Sequence, residues 1–286
     1  MASPRGNRRR LLIIHHAEER RVGRKRHLIH LMIPLWKEAG IEVTEVFGVR
    51  DAPPADVAFL HVDVSVVPPA YLELARRYPV TVNASIADIR KSRLSVLRVS
   101  RGSDYAGPVI VKSSLNCAGD PEMVYFRHRS KFRRLYVRKS PRPAYPMHLE
   151  HKKDYRIFES PAEVPAAMWE CADLVIEKFM PEKLDDLYCV REWYFCGNKS
   201  MQLAEVSPDR ISDYGEPDPR LDLPVPPELH VLREQFGFDY GKFDYTMVDG
   251  KAMPFDFNKT AGVVYIDDEF LGMVREFAQG IDAYFA

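Results

Sequence analysis

Apolar positions recur along this chain in two periods, and the period changes mark its elements. Leu11 to His16 is a short apolar strand, and Lys25 to Ala39 carries Leu28, Leu31, Met32, Leu35 and Trp36 at helical spacing before stopping at Gly40. Ile41 to Phe47 alternates as a strand, Val57 to Val62 is a second apolar run, Pro69 to Tyr78 reads as a helix opened by proline, and Val80 to Asn83 as another strand. Strands alternating with helices predict a parallel sheet, whose ligands gather at the carboxyl ends of the strands. His15, His16, His61, Asp63 and Asn83 fall at those ends. They are read first as loop-capping or solvated residues and second as groups that orient a substrate.

Beyond Asn83 the pattern becomes that of a mixed fold. Ser85 to Val96 is predicted helical and carries Asp88 and Lys91; Pro108 to Ser114 is a β-branched run ending in Lys112, whose long stem suits a phosphate contact. The loop Leu115 to Asp120 that follows holds one glycine. Leu174 to Lys178 is a buried-type strand breaking at Pro181, and Val190 to Cys196 turns at Gly197-Asn198 and pairs back through Met201 to Val206. Alternation puts Glu192 and Tyr194 on one face of that strand and Arg191 and Trp193 on the other. Arg210 follows in a polar loop, Pro217 to Pro227 is an exposed excursion, Leu229 to Phe236 is helical, and Asp267 to Tyr284 closes the chain as an amphipathic helix.

The segment from Gly241 to Gly262 reads as a hairpin turning at Asp249-Gly250, a dipeptide that tolerates positive φ. Asp244 lies five residues before this turn and Asp256 six after it, so the two are roughly opposite, and Asn258 shares a face with Asp256. Two carboxylates and an amide oxygen converging on one spot suit Mg²⁺ with bound phosphates. The plainer reading is an acidic hairpin facing water.

Composition narrows the classes. At 286 residues and 46% hydrophobic content the chain is long enough for two or three lobes with sizeable cores, and its 41 basic and 41 acidic residues cancel. Net charge therefore gives no reason to expect nucleic acid or a membrane as partner. The apolar run behind the basic start, Leu11 to Ile14, is too short for a signal peptide core or a span, so a cytoplasmic location is expected. Cys117, Cys171, Cys189 and Cys196 lack zinc-site spacing and are expected to be reduced and mostly buried. Arg127 to Lys153 is basic with Phe132, Tyr136 and Tyr145 interleaved; it reads first as a solvated stretch and second as a surface for an anionic or peptide substrate.

Taken in order, Lys91, Lys112, the strand and hinge Ile176-Glu177-Lys178-Phe179-Met180, Arg191-Glu192-Trp193, Lys242-x-Asp244 and Asp256-x-Asn258 resemble the ATP-grasp superfamily. The resemblance covers Ser85 to Gly262. It implies a Rossmann-like parallel sheet over 1–84, followed by a two-lobed ATP-grasp fold with a small lobe over 85–180 and a large lobe with the metal-binding hairpin over 181–286. Carried over, Lys91 and Lys112 would hold ATP phosphates, Glu177 and the backbone of Lys178, Phe179 and Met180 would meet adenine, and Glu192, rather than Glu182, the ribose. Asp244, Asp256 and Asn258 would ligate Mg²⁺. Peptide-type ligases of the family have arginine where Lys242 stands, so the cation for the tetrahedral oxyanion is Lys242, Arg210 or Arg191. The chain also departs from the family in its glycine-poor loop after Lys112, in Asp256 where glutamate is common, and in a short segment between Lys91 and Val109. The implied activity joins a small-molecule or peptide carboxylate to an amine or thiol through an acyl phosphate. A kinase on the same fold and a nucleotide-binding module without turnover are the alternatives. A homodimer is the assembly expected from frequency alone.

Overall fold

The computed structural model of the chain describes residues 9–22, 27–128, 154–211, 215–218, 224–263 and 266–285. In the first third, β1 (Arg10–His15), β2 (Glu42–Phe47), β3 (Val57–His61) and β4 (Val80–Val82) form a parallel sheet in the order β2-β1-β3-β4. Every residue of β3, and every residue of β1 after Arg10, is buried, as a parallel strand covered on both faces requires. Leu11, Ile13 and Phe59 pack with Met32 and Trp36 of the helix Ile29–Glu38 and with Val274 and Phe277 of the helix Asp268–Ala278. Leu12, Ile14 and Leu60 face the other way, onto Tyr71 and Leu74 of the helix Pro69–Ala75. The closing helix thus completes the core of the first sheet, and Trp36 Nε1 donates to the Ala278 carbonyl at 2.8 Å.

The next sheet is antiparallel: β5 (Val109–Ser113) lies between β6 (Arg156–Phe158) and β7 (Leu174–Lys178). A larger antiparallel sheet follows. It runs β11 (Glu216–Pro217), β10 (Lys199–Ser207), β9 (Leu187–Cys196), β12 (Tyr240–Val248) and β13 (Lys251–Asn258), with β8 (Glu182–Leu184) on the start of β9. The class is therefore α/β in the first sheet and α+β beyond it, as expected. Asp249 and Gly250 both take positive φ, 51° and 75°, in the hairpin turn between β12 and β13.

One predicted helix is corrected. Of Ser85 to Val96, only Lys91–Leu94 is helical. Residues 85–90 are drawn out alongside the segment after β3, with Val67 N–H donating to the Ala87 carbonyl at 2.8 Å and Ile89 N–H to the Ser65 carbonyl at 2.9 Å. Tertiary backbone pairing overrides helical propensity here. The helix expected from Lys25 begins at Ile29, because His27 instead bridges to Gly262. Of the basic stretch, residues 129–153 lie outside the described residues, Phe132, Tyr136 and Tyr145 among them. All four cysteines are free; Cys189 and Cys196 are buried, Cys171 is half-buried and Cys117 is exposed. No helix among the described residues is long and apolar enough to cross a membrane.

Asn83 ties the first sheet to the third. At φ 63° its side-chain oxygen accepts the N–H groups of Asp239 (3.1 Å) and Tyr240 (3.0 Å), its amide donates to the Tyr240 carbonyl (2.9 Å), and its own N–H donates to Asp239 Oδ2 (2.7 Å). Asn83→Ala is expected to destabilise the chain by about 3 kcal/mol, since it orphans buried backbone groups and keeps a left-handed residue. Denaturant melts check this, the midpoint falling with the slope unchanged.

Candidate functional site

Four neighbouring strands of the large sheet, β10, β9, β12 and β13, build one wall of a cavity, and pairing fixes which side chains share it. Asp244 of β12 stands opposite Glu192 of β9 on one side and Asp256 of β13 on the other. In the next row Lys242 lies between Tyr194 and Asn258. A bulge between Asp244 and Tyr245 makes Tyr245 pair with Pro254, so that Phe255 is the extra residue and Asp256, not Phe255, meets Asp244. Phe255 and Asp256 consequently both line the cavity.

The other wall comes from the small sheet and the short helix before it. Lys91 opens the helix Lys91–Leu94, its backbone N–H held by the Ser114 carbonyl at 2.8 Å, and its ammonium reaches Asp256 at 2.7 Å. Burial acts to discharge Lys91, but Asp256, Tyr155 and Glu177 together outweigh it and the pKa is raised. Lys112, within β5, pairs with Glu177 of β7 at 2.8 Å and lies over the Phe255 ring at 4.9 Å. Tyr155, beside Lys91 and Asp256, has its phenol pushed up to about 12 by burial. The hinge after β7 is fixed at several points: Lys178 N–H donates to Leu97, Phe179 N–H to Pro108, and Thr246 Oγ1 to the Met180 carbonyl at 2.7 Å.

The loop after β5 is shaped without the expected glycines. Cys117, Ala118 and Gly119 take φ of 45°, 54° and 84° in succession, two of them residues that resist the left-handed region. The turn brings Cys117 to the cavity. Ala118→Gly is expected to stabilise the fold by about 1 kcal/mol by relieving that strain, read as a raised melting midpoint.

Of the residues singled out in the sequence, the cavity gathers Lys91, Lys112, Lys178, Phe179, Met180, Glu192, Arg210, Asp244 and Asp256. Arg210 sits over the Phe179 ring at 5.0 Å and pairs with Glu159 at 3.3 Å. The remaining four are placed otherwise. Glu177 is fully buried behind the cavity with its carboxylate on Lys112. Arg191 emerges on the opposite face of β9 from Glu192, where its guanidinium grips Glu182 at 2.6 and 2.9 Å. Lys242 lies just outside, tied to Glu192 and, at 2.9 Å, to Asp244; these carboxylates raise its pKa against the pull of burial. Asn258 turns its amide oxygen to Thr260, accepting the backbone N–H at 2.8 Å, while the Thr260 hydroxyl donates to Asp63 at 2.9 Å. Asp244 and Asp256, paired across the two strands, line the cavity beside Glu192. That all-oxygen pair, with two buried ammonium groups beside it, suits a hard cation arriving with phosphates.

Sequence reading missed Tyr155, Phe255, Thr246 and Cys117 as cavity residues. The unequal count from the hairpin turn, five residues to Asp244 and six to Asp256, was the signal that a bulge would expose Phe255. The residues at the strand ends also divide: Asn83 caps a turn as expected, whereas His15 and His61 are completely buried rather than solvated.

No protein-family model matches the sequence, and no curated protein matches it. Solved structures do. A RimK-domain ATP-grasp protein from Sphaerobacter thermophilus superposes with a TM-score of 0.52 at 14% identity, over 96% of this chain and 100% of that one. A D-alanine–D-alanine ligase from Bacillus anthracis gives a TM-score of 0.47 at 12% identity, over 96% and 98%. The likeness to the RimK-domain protein shows that the chain has the ATP-grasp fold.

Proposed function

We propose that the cavity binds ATP with Mg²⁺ and that the chain is an ADP-forming ligase joining a carboxylate to an amine or thiol. The observation that carries this reading is the meeting in one cavity of two cross-strand carboxylates, Asp244 and Asp256, with two buried lysines, Lys91 and Lys112, from the facing wall. The lysines offer point charges to phosphate oxygens. Lys178, Phe179 and Met180 line the cavity and would meet adenine, and Glu192, steadied by the Tyr194 hydroxyl at 2.8 Å, would take the ribose. Asp244 and Asp256 would hold Mg²⁺, which when bound offsets charge on the phosphoryl group in transfer.

The substrate carboxylate oxygen attacks the γ-phosphorus, the bond to ADP breaks and ADP leaves with its electron pair. The acceptor's nitrogen or sulfur then attacks the acyl carbon and phosphate departs. Of the three candidate cations for the oxyanion, Arg210 lines the cavity, whereas Arg191 is committed to Glu182 and Lys242 to Glu192 and Asp244. Mixtures of carboxylates and amines, assayed for nucleotide products, are expected to release ADP and phosphate in equal amounts only when both partners are present. A stable phosphorylated product from a single substrate would overturn the ligase reading in favour of a kinase.

A further inference from the structure

At the carboxyl ends of β1 and β3 lies a second polar cluster, none of whose histidines lines the cavity. His15 and His61 pair across the two strands, their rings 5.4 Å apart. Glu19, at the start of the helical turn Glu19–Val22, packs onto them, and His27 and His30 approach from the next element. His15 and His61 have no exposed surface and Glu19 only 2%. Both ring nitrogens of His15 and of His61, both carboxylate oxygens of Glu19 and Nδ1 of His27 lack a partner in hydrogen-bond geometry among the described residues. So many polar atoms buried together without partners call for a ligand.

The geometry points to a structural transition-metal site of the zinc type, holding one ion per chain, with His15, Glu19 and His61 as ligands and His27 closing the set. The donor atoms of His15, Glu19 and His61 all lie within 4.8 Å of one another. Glu19 Oε1 is 3.5 Å from His15 Nδ1 and 3.7 Å from His27 Nδ1. Those separations are long for hydrogen bonds. They come close to the roughly 3.3 Å that separates two ligands bound about 2.0–2.1 Å from one tetrahedral ion. The outer nitrogens fit as well: His15 Nε2 faces Glu45 at 3.2 Å and His27 Nε2 faces Asp63 at 3.5 Å, the carboxylate placement that orients metal-bound imidazoles. Imidazole donors select zinc, cobalt or copper over magnesium. A closed, buried set of this kind holds the turn at Glu19 and the segment at His27 onto the sheet. This site is separate from the nucleotide reading and stands without it.

The test uses the full chain without any histidine tag. After chelator treatment it is titrated with Zn²⁺ and with Co²⁺, followed by elemental analysis, visible absorption and thermal melting. Expected are one equivalent of metal per chain, cobalt absorption bands of four-coordinate type, and a melting midpoint raised by Zn²⁺ but not by Mg²⁺ alone. A His15→Ala/His61→Ala variant that keeps its circular dichroism spectrum is expected to lose the cobalt bands. If the stripped wild-type chain takes up neither metal, or if the bands persist in the folded double variant, the site is refuted. The wild-type titration decides even if the variant does not fold.

Discussion

Asp244→Asn is expected to lower nucleotide turnover by on the order of 10²–10³-fold while leaving the fold intact. The substitution keeps size and shape and removes the negative charge at the centre of the row Glu192, Asp244, Asp256. A carboxylate that holds a cation against a transferring phosphoryl group supplies several kcal/mol in the transition state, and each 1.36 kcal/mol is tenfold in rate. Lys242, which pairs with Asp244 at 2.9 Å, retains Glu192 as a partner, so stability should change little. Adenine affinity should persist in part, because the segment Lys178 to Met180 is untouched. Steady-state ADP release beside a nucleotide titration separates the two effects. Equal turnover in wild type and variant would remove Asp244 from the chemistry.

Lys112→Met is expected to destabilise the chain by about 3–5 kcal/mol, the usual consequence of leaving one member of a buried ion pair without the other. Glu177 is completely buried and its carboxylate is held by the Lys112 ammonium at 2.8 Å. A double variant, Lys112→Met with Glu177→Leu, should recover most of that stability, since a buried pair can be exchanged for apolar groups at little cost. Turnover should not recover, because the ammonium offered to phosphate is gone. Melting curves and ADP release on the single and double variants make the comparison, and restored turnover in the double variant would show Lys112 to be structural.

The hairpin was legible because its signals are local. An Asp-Gly turn and alternation on both sides fix Asp244 and Asp256 as neighbours without knowledge of the rest of the chain. The first sheet was legible for the same reason, from runs of apolar residues separated by helical spacing. Lys91 and Lys112 were reached through the order of motifs, and their pairing to Asp256 and Glu177 was not readable, since each partner lies on a different element. Residues 85–90 misled because their local pattern suits a helix while their backbone partners, Ser65 and Val67, lie some twenty residues away. Arg191 misled differently. Alternation placed it correctly opposite Glu192, but only the fold shows that face turned to Glu182 and away from the cavity. The histidine cluster was half visible: strand ends placed His15 and His61 together, while Glu19, His27 and His30 join them only through the folding of separate segments.

Thermal unfolding with ATP, with and without Mg²⁺, tests the nucleotide site most directly. A ligand that binds only the native chain stabilises it by RT ln(1 + [L]/Kd), about 2.7 kcal/mol at a hundredfold excess over Kd. The expected result is a rise in midpoint with ATP that grows when Mg²⁺ is added, and loss of the Mg²⁺-dependent part in Asp256→Ala. No shift with ATP under either condition would contradict the cavity's assignment as a nucleotide site.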